Sequence, residues 1–214
     1  MKRACACLAL VTLECAVWSV ALCGASRLET RGAPSNLEPR VVATNGRAHL
    51  ELPGPLSKAL GTEFAGYRVP LPADLSGAWA ENRGPESLPF VTWGDYDGDG
   101  LTDVVLILLS DREWKMIACR QKPVGKYVFY TLQSGPLGKV NPDNNIEYPK
   151  DRVLSTLRKR ERLVAVDADS QTGKEIERPI EFDHDAIRLT ISETAEAFYY
   201  WDGKQYQVQE ESTE

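Results

Sequence analysis

Nine residues rich in carboxylates separate two apolar segments, and they constrain the fold more than any other feature of the sequence. They read Asp-Tyr-Asp-Gly-Asp-Gly-Leu-Thr-Asp over 95–103. The short, mostly apolar segment Phe90–Trp93 precedes them, and Val104–Leu109 follows them. Because the second segment is continuously apolar and begins with β-branched residues, it predicts a strand buried on both faces. We therefore expect the acidic residues to form a tight loop between two strands.

The alternating aspartates of this loop have the chemistry of a calcium site. Calcium takes about six to eight oxygen ligands, and Gly100 supplies the backbone freedom that a sharp bend needs. Without a cation, two carboxylates about 5 Å apart repel by roughly 3 kcal/mol at an effective dielectric of about 20. The alternative is a solvated turn, since Asp and Gly are common in turns. The predicted Ca²⁺ ligands are the side chains of Asp95, Asp97, Asp99 and Asp103 and the carbonyl of Leu101.

The residues around the loop exclude an EF-hand and point to another loop type. An EF-hand needs a Glu at the twelfth position and a helix on either side, but Leu106 stands there and the flanks predict strands. The segment 93–105 resembles an FG-GAP (VCBS-type) repeat, the strand–calcium loop–strand unit of integrin α-chain propellers and many bacterial secreted proteins. The resemblance implies the same five ligands. It covers about 13 residues and occurs once, whereas a propeller needs several blades.

The rest of the pattern predicts an α+β fold, a single domain made mainly of antiparallel β-sheet with one or two short helices. Residues 55–64 predict a short helix, because Leu56, Leu60 and Phe64 share one face and Pro55 suits a first turn. Residues 134–151 predict a loop, and 152–164 fit a helix or a strand equally. Further strands are expected at Ala48–Leu52, Trp114–Cys119, Tyr127–Leu132, Ile180–Phe182, Ile187–Ile191, Phe198–Trp201 and Gln205–Val208.

The aromatic residues near the end of the chain belong to a predicted hairpin. Asp202-Gly203 is a strong two-residue turn signal between two of these strands. From Pro89 to about Val208, the chain is similar to small uncharacterised bacterial exported proteins that pair one acidic loop with such a hairpin. Whether the hairpin is a binding surface or part of the core stays open.

The first 25 residues have the layout of a signal peptide. Lys2 and Arg3 precede the apolar stretch Ala4–Cys23, and small residues follow it. We therefore expect a secreted or periplasmic protein, with anchoring in a membrane through the N-terminal segment as the alternative. Residues 26–54, which are rich in Gly, Pro and Asn, predict an N-terminal linker. Residues 55–214 then form the single domain.

Charge and cysteine content narrow the partners. The leader holds two of the 25 basic residues and one of the 31 acidic residues, which leaves 23 and 30. This acidic balance argues against a nucleic-acid partner, and no further apolar run is long enough to span a bilayer. Only Cys119 lies after the leader, so we expect the core, bound metal or both to stabilise the domain in place of disulfides.

Two functions fit these features. The first is a non-enzymatic exported domain with structural calcium, which serves adhesion or binds an unknown protein or glycan ligand. The alternative is a small calcium-dependent hydrolase, or a hydrolase accessory protein, in which His184 between Asp183 and Asp185 acts as the base. The position of His184 discriminates between them, because a histidine far from any cleft that holds aspartates removes the enzyme's candidate base. No residue is assigned as catalytic or as binding an organic cofactor.

Overall fold

Antiparallel β-sheet dominates the computed structural model, which describes residues 38–44, 47–74, 88–141, 146–161, 163–168, 175–191 and 195–212. All of them belong to one unit, Pro34–Glu214. The predicted signal peptide and the first part of the predicted linker lie outside the described residues. In the described ranges, no helix is both long and apolar enough to cross a membrane.

The described elements are one α-helix, fourteen strands and two short 3₁₀ segments. The helix is α1 (Gly54–Glu63), and the 3₁₀ segments are Pro72–Asp74 and Pro123–Gly125. The strands are β1 (Arg40–Thr44), β2 (Arg47–Glu51), β3 (Val91–Gly94), β4 (Asp103–Leu109), β5 (Glu113–Lys122), β6 (Lys126–Pro136), β7 (Gly138–Asn141), β8 (Ile146–Tyr148), β9 (Arg152–Leu157), β10 (Leu163–Ala168), β11 (Glu175–Ile180), β12 (Ala186–Ile191), β13 (Ala195–Trp201) and β14 (Tyr206–Ser212).

Two four-stranded sheets and three hairpins contain these strands. One sheet has the order β3-β4-β5-β6 and the other has the order β14-β13-β12-β9; the hairpins are β1-β2, β7-β8 and β10-β11. Neighbouring strands are antiparallel throughout the described residues. The prediction of a mainly antiparallel β fold is therefore confirmed at this level.

Strand β4 is the centre of the core. Every residue from Asp103 to Leu109 is buried, which confirms that Val104–Leu109 is covered on both faces. Leu56 and Leu60 of α1 are buried and belong to the same hydrophobic cluster. The helix predicted at 55–64 is thus confirmed to within one residue at each end.

The two large sheets meet along two lines. On one side, the Leu154 N–H in β9 donates to the Pro89 carbonyl at 2.8 Å, and the Thr156 hydroxyl donates to the Trp93 carbonyl at 3.0 Å. On the other side, the Tyr130 ring of β6 packs edge-on against Trp201, with 5.4 Å between ring centroids. The acidic loop leaves β3 at the first of these lines, so both sheets contact it.

Several predicted elements differ from the structure. The loop prediction for 134–151 is wrong in part, because this range contains the end of β6 and the strands β7 and β8. The undecided range 152–164 holds β9 and the start of β10, and the strand expected at Ile180–Phe182 is β11, which ends at Ile180. Strand pairing explains these differences, since it overrides weak local preferences. Part of the range assigned to the linker forms the hairpin of β1 and β2.

Candidate metal centre

The acidic loop is closed by the last pair of the β3–β4 ladder, in which Gly94 faces Asp103. Within the loop, carboxylate oxygens bind backbone N–H groups. The N–H of Asp99 donates to Asp97 Oδ1 at 3.2 Å, that of Gly100 to Asp95 Oδ2 at 3.2 Å, and that of Leu101 to Asp99 Oδ1 at 3.0 Å. Three aspartates therefore each use one oxygen to shape the turn.

Three of the five predicted ligands lie together. One ligand atom from each of Asp95, Asp97 and Asp99 lies within 4.8 Å of the other two. Asp103 is outside this group of three: it is fully buried, and its Oδ1 accepts the Gln121 N–H at 2.8 Å. Leu101 is half-buried at the turn. The structure thus gathers three carboxylates at the loop and places the fourth in the protein interior.

Two carboxylate oxygens of this centre are buried and have no hydrogen-bond partner among the described residues. They are Asp95 Oδ1 and Asp103 Oδ2. A buried acceptor without a donor costs about 1–3 kcal/mol, and native proteins rarely tolerate it. A hard cation with oxygen ligands would coordinate such atoms. The three carboxylates gathered at the loop could therefore hold a metal ion.

Charges from β5 face the same centre. Arg120 Nε donates to Asp97 Oδ2 at 2.6 Å, and its Nη2 contacts the same oxygen. Lys122 Nζ lies 3.1 Å from Asp97 Oδ2 and 3.2 Å from Asp99 Oδ2. When all four aspartates are ionised, these two cations leave two negative charges uncompensated, which is the charge that one calcium ion balances.

Burial dominates the titration of Asp103. It raises the pKa of this carboxyl to about 7, the backbone N–H groups of Gln121 and Tyr96 lower it by less, and the charges of Asp99 and Asp95 raise it further. The charged form of Asp103 is therefore disfavoured in the metal-free protein. A cation at the loop would reverse this preference, because it stabilises the carboxylate.

Tyr96, between the first two aspartates, anchors the loop to the core. Its side chain is fully buried, and its hydroxyl lies 2.6 Å from the Thr156 hydroxyl and 3.4 Å from that of Thr92. Burial raises the pKa of Tyr96. Sequence reasoning missed this role, because nothing in the local sequence shows that a tyrosine between two aspartates of a turn points into the core.

The segment after β11 covers the other side of the loop. The Asp95 N–H donates to Asp185 Oδ2 at 3.2 Å, and the Asp185 N–H donates to the Asp95 carbonyl at 3.3 Å. Asp185 also pairs with Arg158 at 2.7 Å. His184 packs against Gly98, where an added Cβ would overlap the imidazole ring. The hydrolase hypothesis therefore keeps its candidate base beside the aspartates.

A cleft of about 500 Å³ lies next to this segment and includes His184 in its wall. Its wall also contains Asp183, Asp185, Tyr200 and Trp201. A larger cavity of about 760 Å³ is formed by the turns at 65–67 and 110–113 and by residues 134–136, so none of the predicted ligands lines it.

Comparisons with protein-family models, with curated proteins and with solved structures find no match to this chain. The interpretation of the site therefore depends on its own residues.

The contact between Gly98 and His184 gives a first prediction. Gly98 and Gly100 both have positive φ, 75° and 81°, so Gly→Ala at either position should cost about 1–2 kcal/mol of strain. Gly98→Ala should cost roughly 1–3 kcal/mol more, because its Cβ meets the ring, whereas a Cβ at Gly100 meets nothing within 4 Å. Urea unfolding of both variants in EDTA measures this difference.

A double variant provides the control for this prediction. Adding His184→Ala to Gly98→Ala should remove the excess cost, while adding it to Gly100→Ala should not. Equal destabilisation by the two single variants would contradict the packing that we describe.

The raised pKa of Asp103 gives a second prediction. The native pKa near 7 exceeds the unfolded value near 3.9, so the native state binds the proton more tightly. The contribution of this group to stability is full below about pH 4 and is lost as the pH rises to 7 and beyond. In EDTA, the wild type should lose stability over this range relative to Asp103→Asn, measured by urea unfolding at several pH values. A constant difference between the two proteins would disprove the assignment.

Proposed function

We propose that this chain is an exported, non-enzymatic calcium-binding protein whose single α+β domain uses one FG-GAP-type loop as a structural metal site. The observation that carries the proposal is the group formed by Asp95, Asp97 and Asp99, whose ligand atoms lie within 4.8 Å of one another, together with the buried Asp95 Oδ1, which has no hydrogen-bond partner among the described residues.

The proposed ligands are the four aspartates together with the Leu101 carbonyl. Asp95 and Asp103 would contribute the oxygens that have no partner among the described residues, and the buried Asp97 side chain and the exposed Asp99 would contribute the other carboxylate oxygens. Calcium accepts such a mixed set of carboxylate and carbonyl oxygens. The role of the ion is to neutralise the loop and to hold it between the two sheets.

The loop's position supports a structural rather than a catalytic role. Its ends are the ends of β3 and β4, and Tyr96 and Asp185 connect it to β9 and to the segment before β12. An ion that stabilises the loop therefore stabilises the contact between the sheets. In adhesion or ligand binding, which we propose as the biological role, such an ion keeps the surrounding surface rigid outside the cell.

Calcium should raise the melting temperature of the protein. A dissociation constant on the order of 10⁻⁴–10⁻³ M is typical of extracellular modules, so 10 mM calcium should stabilise the native state by roughly 1.4–2.7 kcal/mol. Differential scanning calorimetry with calcium and with EDTA measures the shift. Identical curves in the two solutions would contradict the proposal.

Substitution of a ligand identifies the site. Asp99→Ala should greatly reduce the calcium shift, because it removes a proposed ligand. Asp99 is exposed, so its loss should leave the core intact. Asp97→Ala should abolish the shift as well, but it also leaves the partly buried Arg120 without its carboxylate partner. Asp111→Ala, which removes an exposed carboxylate from another turn, is the matched control and should keep the full shift.

The hydrolase alternative is favoured by one observation, the position of His184 between the loop and the cleft. Two facts weigh against it. Asp185 is held by Arg158 and by the Lys159 N–H, and His184 forms no described hydrogen bond to a carboxylate that would orient it as a base.

A screen with chromogenic esters, phosphates and glycosides in calcium tests this alternative. We expect no hydrolysis that depends on His184. Turnover that is lost in His184→Gln and kept in His49→Gln, which changes the other histidine, would overturn the non-enzymatic proposal.

A further inference from the structure

Two basic side chains of β5 bind the carboxylates of Asp97 and Asp99. Arg120 and Lys122 are two residues apart in a strand, so their side chains lie on the same face. Arg120 binds Asp97 through Nε at 2.6 Å and through Nη2, and Lys122 binds both Asp97 and Asp99. The Asp97 side chain is only 1% exposed, and that of Arg120 is 11% exposed, so solvent screens this pairing little.

These two cations bind the same carboxylates, Asp97 and Asp99, that would bind a calcium ion. Asp97 Oδ2 accepts three hydrogen bonds from Arg120 and Lys122, and its Oδ1 accepts the Asp99 N–H. A calcium ligand at this position must give up some of these contacts or coordinate with a weakened charge. Lys122 also neutralises Asp99, which is the most exposed of the three carboxylates.

We propose that Arg120 and Lys122 form an internal competitor for calcium, which holds Asp97 and Asp99 in the metal-free loop and sets a weak calcium affinity. This inference rests on the proposed calcium function and adds its regulation. Calcium binding loosens the contacts of both side chains with Asp97, so the ion exchanges one set of charge pairs for another. The loop therefore stays ordered at low calcium and responds only at the high concentrations found outside cells.

Arg120 also contacts aromatic side chains, including one in the β13–β14 hairpin. Its guanidinium carbon lies 3.8 Å from the centre of the Trp201 ring and 5.8 Å from that of Tyr130. Trp201, Tyr206 and Tyr130 pack edge-to-face around it, with centroid distances of 5.2–5.6 Å. When Asp97 releases the guanidinium, the side chain moves relative to these rings. The β13–β14 hairpin consequently senses whether calcium is bound.

Lys122→Gln provides the main test, because Lys122 is about one-third exposed and its replacement leaves the core intact. Removing this positive charge should tighten calcium binding by roughly tenfold, measured by isothermal titration calorimetry at fixed ionic strength. Lys58→Gln, on the surface of α1, makes the same change in net charge and should bind like the wild type. Arg120→Gln should also bind more tightly, provided that its unfolding in EDTA remains cooperative.

The second measurement is the NMR resonance of the Arg120 Nε–H group. It should shift when calcium is added to the wild type, because the group loses its contact with Asp97. Unchanged or weaker affinity in Lys122→Gln, together with an unshifted Arg120 resonance, would overturn the competitor while leaving calcium binding by the wild type in place.

The failure of the proposed function has a different signature. If neither the wild type nor Lys122→Gln binds calcium at 10 mM, both the proposed calcium site and the proposed competition are contradicted. If only Lys122→Gln binds, competition is supported and the proposed function of the wild type is contradicted.

Discussion

Strand β4 brings a carboxylate into the interior, and the arrangement of the whole loop depends on how that charge is accommodated. The strand is buried from end to end, and its first residue is Asp103. An ionised carboxylate in an apolar interior is strongly unfavourable unless it is paired or binds a metal. Hydrogen bonding from the Gln121 N–H satisfies one oxygen, and the other oxygen has no donor within the part of the chain that the structure describes. The interior of the fold thus favours either a proton on Asp103 or a cation beside it.

Contacts from two directions hold the loop in place. On one side, β5 supplies Gln121 to Asp103 and supplies Arg120 and Lys122 to the outer aspartates. On the other side, Thr156 binds the Tyr96 hydroxyl and Asp185 binds the Asp95 N–H. A loop with four carboxylates would otherwise be pushed open by its own charge. These contacts hold it closed and fix it at the line where β3 meets β9.

Sequence reasoning predicted the parts of this centre that are local. The loop, the buried strand β4, the helix α1 and the hairpin around Asp202 each carry a pattern within a few residues, so composition and periodicity are sufficient. Arg120 and Lys122 lie more than 20 residues from Asp97, and only the register of β4 against β5 places them there. His184 and Asp185 are farther still and reach the loop through pairing of β9 with β12. Side chains that arrive by strand pairing leave no local signal.

The two cations paired with the loop also weaken the inference that its carboxylates require a metal ion. In the sequence alone, the four aspartates favour a metal ion, because no basic residue within the loop could reduce the repulsion between their carboxylates. In the structure, Arg120 and Lys122 already remove much of that repulsion, so charge alone no longer demands an ion. The two buried oxygens, Asp95 Oδ1 and Asp103 Oδ2, have no partner among the described residues, and they are what still favours a cation. The proposed calcium site would then add stability to a loop that these contacts already hold, in a domain that has a single buried thiol among its described residues and no disulfide there.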